Sequence, residues 1–321
     1  MIPQEQILPP KTWEKVLDFI GSKDEATPYL LIDSALVRAY CSKLKEGFPE
    51  AEFFYAMKAN PSEEVVSLVN KEGFGFEIAS EGELRVLKSM GVPSEKIISS
   101  NPVKSPWFLE EAYEYGIRYF AYDSEEEIDK FLRYAPEARC YVRISVPNEG
   151  SQWPLTQKFG VSPDEALRLL EMAKTRGLSP AGVTFHVGSQ CLNPSNWSTS
   201  LTMVQDLFRK AEKKGIALEI INLGGGFPVR YTDRVVSVEE IEALIVKEIK
   251  SRFPSDIKIH IEPGRAVVAE AGVMVSRVIG KARRAGQDWL YIDVGVFNGL
   301  MEAVGGIKYT FVVGSRAEVK K

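Results

Sequence analysis

The residues that could do chemistry in this chain stand mostly at the ends of short apolar runs. Lys58 follows Phe53-Phe54-Tyr55-Ala56, which reads as a buried strand, and Asn60 and Pro61 stop the run directly after it. An ammonium facing the inside of a fold costs several kcal/mol unless it is paired or neutralised, so a lysine there asks for a reason. A lysine that loses its proton easily attacks carbonyls and forms Schiff bases. Further along, Glu77 ends "GFGFE", Arg143 lies in "CYVRI" and His186 ends "GVTFH". Gly224-Gly225-Gly226 follows Leu223, and Glu262 and Arg265 follow "IKIHI" in the segment "EPGR".

Glycines let backbone N–H groups approach a phosphate closely, and an arginine adds a planar fork of donors. A lysine, a glycine-rich turn and "EPGR" therefore suit a class I aldolase or a pyridoxal phosphate site. The second also wants a carboxylate at the pyridine nitrogen, for which Glu262 is the candidate, and a flat face against the ring, for which His186 is. Each feature alone has an ordinary explanation. A strand-end lysine is commonly a surface lysine, a run of glycines a loop, a lone histidine a hydrogen-bonded structural residue, and Glu-Pro-Gly-Arg a turn. The weight lies in their occurrence at successive strand ends.

Those strand ends come from a regular alternation. Apolar runs predict strands at Phe53–Met57, Phe74–Ala79, Ile97–Ser100, Tyr119–Tyr122, Cys140–Ile144, Gly182–Val187, Glu219–Leu223 and Lys258–Ile261. Amphipathic segments predict helices at Ser80–Met90, Ser105–Tyr115, Ser124–Tyr134, Ser162–Arg176, Asn196–Lys214 and Ser237–Phe253, several opening on serine or asparagine N-caps. "SEGE" at 80–83 has capping-box spacing. Eight strands alternating with helices give an α/β protein and a (β/α)8 TIM-like barrel spanning residues 34–269, a fold of about 250 residues whose chemistry sits at the C-terminal ends of its strands. A doubly wound open sheet is the alternative, but no GxGxxG follows the first strand. "PYLLID" (28–33) reads as a further strand, and the chain after Gly264 is β-rich, so residues 1–33 and 270–321 are expected to form a second, mostly β domain built from both termini.

The totals exclude several classes. With 321 residues, 45% hydrophobic and 26% charged, the chain is ordinary for a soluble globular protein. A net charge of −4 gives no polyanion-binding surface, so no nucleic-acid partner is expected, and Lys281-Ala-Arg-Arg284 reads as a solvated helix end or loop. Cys41, Cys140 and Cys191 are widely spaced, which suits reduced thiols in the cytoplasm. No signal peptide or membrane-length apolar run is present. Two histidines, His186 and His260, without HExxH argue against a histidine-based metal site.

"YAMKANP" (55–61), "FEIASEGEL" (76–84), "KFGV" (158–161), "FHVGSQ" (185–190), "LGGGFP" (223–228) and "EPGR" (262–265), in this order and spacing, resemble the fold-type III pyridoxal phosphate-dependent amino-acid decarboxylases. These include the ornithine, lysine, arginine and diaminopimelate decarboxylases. "NEGSQWPLTQKFG" (148–160) and "YIDVGVFNGLMEAVGGIKY" (291–309) are most similar to the bacterial ornithine decarboxylase branch. The resemblance implies that Lys58 holds pyridoxal phosphate as a Schiff base, Glu262 pairs with the pyridine nitrogen and His186 stacks on the ring. It assigns Ser189, Gly225, Gly226, Gly264 and Arg265 to the cofactor's phosphate end, places Glu77 and Arg143 near the Lys58 side, and makes Glu83 a supporting acid. The reaction implied is decarboxylation of a basic amino acid, L-ornithine to putrescine foremost, with lysine and diaminopimelate as alternatives, in a homodimer.

The sequence also departs from that pattern. Position 77 is glutamate where the ornithine branch has aspartate, and Phe297 stands where eukaryotic relatives have tyrosine. The family's "GPTCDS"-type segment and late tyrosine, which reach the partner's active site, do not occur before Lys321. The expectation is a shortened or split chain with exposed apolar edges in the β domain and a tendency to associate. Two other classes compete: a decarboxylase-like decoy that binds a regulator without turnover, and a racemase-type or cofactor-homeostasis barrel, against which "GGGFP" and the β-rich tail count.

Overall fold

A computed structural model describes residues 9–22, 25–154, 158–231 and 235–312. Residues 155–157 of the 148–160 motif, and the outer ends of the expected β domain at 1–8 and 313–321, lie outside the described residues. The chain divides into two compact units, one of Val37–Pro228 with Val236–Val267, the other of Met1–Leu36, Val229–Val235 and Val268–Lys321.

The first unit is the barrel. Its strands are β1 (Ala51–Ala56), β2 (Gly75–Glu77), β3 (Ile97–Ile98), β4 (Tyr119–Tyr122), β5 (Arg139–Arg143), β6 (Ser179–Thr184), β7 (Ile220–Asn222) and β8 (Lys258–Ile261). They run in the order β3-β2-β1-β8-β7-β6-β5-β4, every pair parallel. Ser99 closes the circle between β3 and β4: its N–H donates to Tyr119 O at 3.0 Å, and its carbonyl accepts from Ala121 N at 2.9 Å. Strands covered on both faces should be continuously apolar, which is why the runs in the sequence found all eight. β6 starts three residues earlier than expected, because Pro180 fits at its outer end beside a register shift between Cys140 and Tyr141.

Inside the barrel the packing is aromatic. Tyr141 stacks on Tyr119 with centroids 5.7 Å apart, and His260 meets the edges of both rings. The Tyr141 hydroxyl and His260 Nδ1 are 2.9 Å apart. Burial, then Lys258 and Arg139, pushes the imidazole down to about 3, so His260 is a neutral core residue.

The outer helices begin where the serines stand. Ser80, Ser105, Ser124, Ser162 and Ser237 each accept a hydrogen bond from the backbone N–H three residues on. The capping box forms at Ser237 and Glu240. At Ser80 it does not, because Glu83 reaches one residue further back and accepts from Ala79 N at 2.6 Å. The helix expected to open on Asn196 begins at Ser195. Asn196 is instead buried, donating to Glu149 O and Cys191 Sγ.

The second unit holds an antiparallel pair, Tyr29–Ile32 with Gly272–Val275, and a hairpin of Val278–Arg284 with Gln287–Ile292. Lys281, Arg283 and Arg284 therefore lie on a strand rather than a helix end or loop. Ile279, Trp289, Leu290 and Phe297 are exposed. A helix, Pro10–Ser22, was not anticipated, although Trp13, Val16, Leu17 and Ile20 carry its spacing after a proline at the first position. Val229–Val235 joins this unit through Arg230 N to Glu270 Oε1 at 2.9 Å and through packing of Tyr231 against Tyr309.

Candidate active site

The barrel's C-terminal rim collects the residues singled out in the sequence. Lys58 is in a single 3-10 turn, Met57–Ala59, directly after β1. Glu77 and Arg143 are the last residues of β2 and β5. His186 lies two residues beyond β6, the glycines follow β7, and Glu262 follows β8 with Arg265 opening a short helix.

Lys58 Nζ donates to Glu77 Oε2 at 2.8 Å. The lysine side chain is 59% accessible and Glu77 only 2%. Desolvation pulls the ammonium's pKa down, but Glu77 and then Glu262 outweigh it and the net shift is upward. Without cofactor, then, Lys58 is held protonated, contrary to the easily deprotonated amine the sequence suggested. Two carboxylates are the cause.

Glu262 is buried and receives two donors on one oxygen. The Ser100 hydroxyl donates to Oε1, and Asn222 Nδ2 donates to the same atom at 2.5 Å. Burial pushes this carboxyl up to about 7, Glu77 adds to the rise, and Lys58, Ser100 and Asn222 hold it back. Arg143 faces Glu262, Asp123 and Glu77, which offset part of its burial penalty. Its guanidinium lies 5.2 Å from the ring centre of Phe159. Glu83, behind Glu77, is raised by burial and by Glu77 against its bond from Ala79 N.

His186 is neutral: burial, then Arg143 and Lys58, drive its pKa well below the usual value. Gly188 N–H donates to His186 Nδ1 at 3.0 Å, which puts the ring proton on Nε2. Above it lies the glycine turn. A Cβ on Gly225 would stand 2.5 Å from Glu262 O, and one on Gly226, whose φ is +98°, would stand 2.5 Å from Gly188 O. Only glycine fits either place. Gly264 packs against the methyl groups of Ala56 and Ala59, which flank Lys58 along the chain. Arg265 donates through Nη2 to Ser189 Oγ at 3.0 Å.

All ten predicted residues thus lie on this rim. Those missed were Ser100, Asn222 and Asp123. Asn222 carried a readable signal, a lone amide in the apolar strand before the glycines. The set fits pyridoxal phosphate: an amine for its aldehyde, a buried carboxyl with a raised pKa for its ring nitrogen, a neutral flat ring, and an arginine, a hydroxyl and a glycine cradle for its phosphate.

Comparison with known proteins agrees. The family model for the pyridoxal-dependent decarboxylase pyridoxal-binding domain matches residues 34–269. The chain is 38% identical over 279 residues to a lysine/ornithine decarboxylase of Selenomonas ruminantium, covering 86% of this chain and 71% of that one. It is 32% identical over 281 residues to antizyme inhibitor 2 of Xenopus laevis, covering 87% of this chain and 61% of that protein. The crystal structure of a Vibrio vulnificus lysine/ornithine decarboxylase complexed with cadaverine superimposes with a TM-score of 0.87 at 30% identity, over 95% of this chain and 81% of that one. Among the described residues no helix is long and apolar enough to cross a membrane. The recess built from Lys58, Glu77, His186, Glu262 and Arg265, the closed parallel barrel and the matched domain lead to one conclusion: the chain belongs to the fold-type III pyridoxal phosphate-dependent basic amino-acid decarboxylases, a family of carboxy-lyases.

Proposed function

We propose that this chain decarboxylates a basic amino acid, L-ornithine to putrescine foremost and L-lysine or diaminopimelate as alternatives, using pyridoxal phosphate held by Lys58. The observation that carries the reading is the pairing of Lys58 with Glu77 in the same recess as the buried, doubly hydrogen-bonded Glu262. Bound pyridoxal phosphate supplies the electron sink that accepts the Cα–carboxylate bonding electrons as CO2 leaves.

The chain's own residues do the rest. Glu77 Oε2 pairs with Lys58 Nζ and orients the amine in the recess. Glu262, with its pKa raised by burial to about 7 and its Oε1 held by Ser100 and Asn222, would pair with the ring nitrogen and share its proton. Neutral His186 offers a flat face without a competing charge. Ser189, Gly225, Gly226 and Arg265 hold the phosphate, and Gly264 lets the strand-end segment lie against Ala56 and Ala59. Arg143 and Glu77 bound the Lys58 side, with Glu83 fixing the backbone at Ala79 behind them. The similarity to the Selenomonas and Vibrio enzymes supports ornithine and lysine as the first substrates to try.

The same reading places the protein in the cytoplasm as a homodimer, which the three buried free thiols suit. Residues 34–269 are taken as the cofactor-binding domain, and 1–33 with 270–321 as the β domain. The test is a visible spectrum of the chain with pyridoxal phosphate, followed by L-ornithine, L-lysine and meso-diaminopimelate in turn with CO2 measured. An absorbance band and CO2 from one of them is expected; absence of any band overturns the reading.

The similarity to antizyme inhibitor 2 favours a second reading, a decarboxylase-like regulatory protein without turnover. It predicts a band or none, no CO2 from any substrate, and capture of a regulatory protein partner.

A further inference from the structure

The seam between β3 and β4 is the thinnest place in the barrel. β3 has two residues, and among the described residues only Ser99 ladders onto β4. One residue later stands Ser100, whose hydroxyl donates to Glu262. The orientation of that donor depends on the loop Ser100–Ser105, and what fixes the loop is a lysine that the site described above does not use.

Lys104 is fully enclosed, with 0% of its side chain accessible. Its Nζ donates to three carbonyls: Asn101 O at 2.9 Å and Pro102 O at 3.2 Å within the loop, and Ala121 O at 2.5 Å on β4. Glu127, on the helix after β4, stands 3.3 Å from Nζ and balances the charge. Lys130 donates to the Lys104 carbonyl at 2.5 Å and pairs with Glu127. The Lys104 ammonium also lies 5.0 Å from the ring centre of Phe131. Three carbonyls and a carboxylate around one buried ammonium form a three-dimensional tie. It joins the loop to β4 just past the point where the ladder stops.

We propose that Lys104 is a positioning residue: it clasps the β3 loop to β4 and thereby holds Ser100 against Glu262. A lysine suits the place because a single nitrogen must reach three acceptors that diverge in space; a planar guanidinium does not bond that way. Glu127 is the second half of the clasp. The proposal rests on the reading that Glu262 faces the ring nitrogen.

The test compares wild type with Lys104→Met, Ser100→Ala and the double variant, each titrated with pyridoxal phosphate while the visible band is recorded. Amide exchange at Ser99, Ser100 and Ala121 is followed in the cofactor-free chain. Both single variants are expected to weaken cofactor binding about tenfold and to shift the band in the same direction. The double variant should be no worse than Lys104→Met alone, since both act on one contact. Exchange at all three amides should rise in Lys104→Met. If that variant fails to fold, Glu127→Gln, which keeps the three carbonyl bonds, is read the same way for a smaller loss of about threefold. Additive effects overturn the proposal, as does faster exchange with an unchanged band and affinity. If wild type binds no pyridoxal phosphate, the reading of the site has failed; the exchange measurement then judges the clasp alone, and unchanged rates overturn it.

Discussion

Asn222 ties the glycine turn to the buried acid: its Nδ2 donates to Glu262 Oε1 at 2.5 Å, and its Oδ1 accepts from Gly224 N at 2.9 Å. One amide thus fixes the carboxyl assigned to the cofactor's ring nitrogen and the start of the segment assigned to its phosphate. Replacing it by leucine keeps the volume and removes both bonds, with the 3.3 Å bond to Ser100 Oγ, leaving Gly224 N and one lone pair of Glu262 without this partner in a buried place. Asn222→Leu is expected to lower stability by about 1–3 kcal/mol, read by urea denaturation of the cofactor-free chain. A smaller change would mean that water replaces the amide.

Lys58→Ala removes the amine that captures the aldehyde. Borohydride reduction of wild type with pyridoxal phosphate should fix the cofactor on the peptide containing Lys58. The variant should fix none there, with turnover reduced by at least about a thousandfold. Peptide mass mapping decides it, and fixation at another lysine would move the site.

Arg265→Met should weaken binding of pyridoxal phosphate by about tenfold or more while leaving pyridoxal, which has no phosphate, bound as in wild type. A parallel loss for both ligands would show that Arg265 shapes the recess instead of contacting the phosphate. Equilibrium titrations of the two ligands separate these outcomes.

Glu242 supplies a pH dependence away from the site. It is 4% exposed, and among the described residues its Oε1 has no hydrogen-bond partner. A Cβ on Gly47 would collide with its carboxylate, so it packs directly against the end of the helix Ser34–Gly47. Burial, then Glu239, pushes it up to about 7, with Lys43 opposing and Glu46 adding. The folded chain therefore keeps this proton over a range in which the unfolded chain has lost it. Stability from this group is greatest at low pH and falls as pH rises from the ordinary carboxyl range through about 7. The loss is on the order of 2–3 kcal/mol. Glu242→Gln should flatten that part of the stability-against-pH curve, measured by denaturant melts from pH 5 to pH 8.

The sequence disclosed what is periodic and what is unusual in place. Tyr119–Tyr122 and Lys258–Ile261 were read to the residue, because strands buried on both faces leave unbroken apolar runs. Lys58, Glu262 and Arg265 stood out because they occur together at successive strand ends, although each alone has an ordinary explanation. Ser100 did not stand out, since its partner is 162 residues away and a serine after a strand is common. Lys104 was invisible for the same reason: nothing in "NPVKS" says that its ammonium turns inward to three carbonyls. The direction of the Lys58 shift was not legible, because it depends on Glu77 and Glu262 together and the sequence does not give their distances. The Pro10–Ser22 helix was legible and overlooked, its apolar spacing masked by two prolines at its start.

The charges of the recess bear on how quickly the cofactor arrives. Lys58, Arg143 and Arg265 bring three positive groups against the carboxyls of Glu77, Asp123, Glu83 and Glu262, and burial raises the pKa of the last two. Raising those two pKa values lessens the negative charge that an arriving dianionic phosphate meets. Capture is a steered encounter, quick in dilute buffer and slowing as the screening length contracts from about 30 Å at 0.01 M salt to about 10 Å at 0.1 M. On the proposed reading, the arrangement assigned to the phosphate also sets the pace at which newly made chains acquire it.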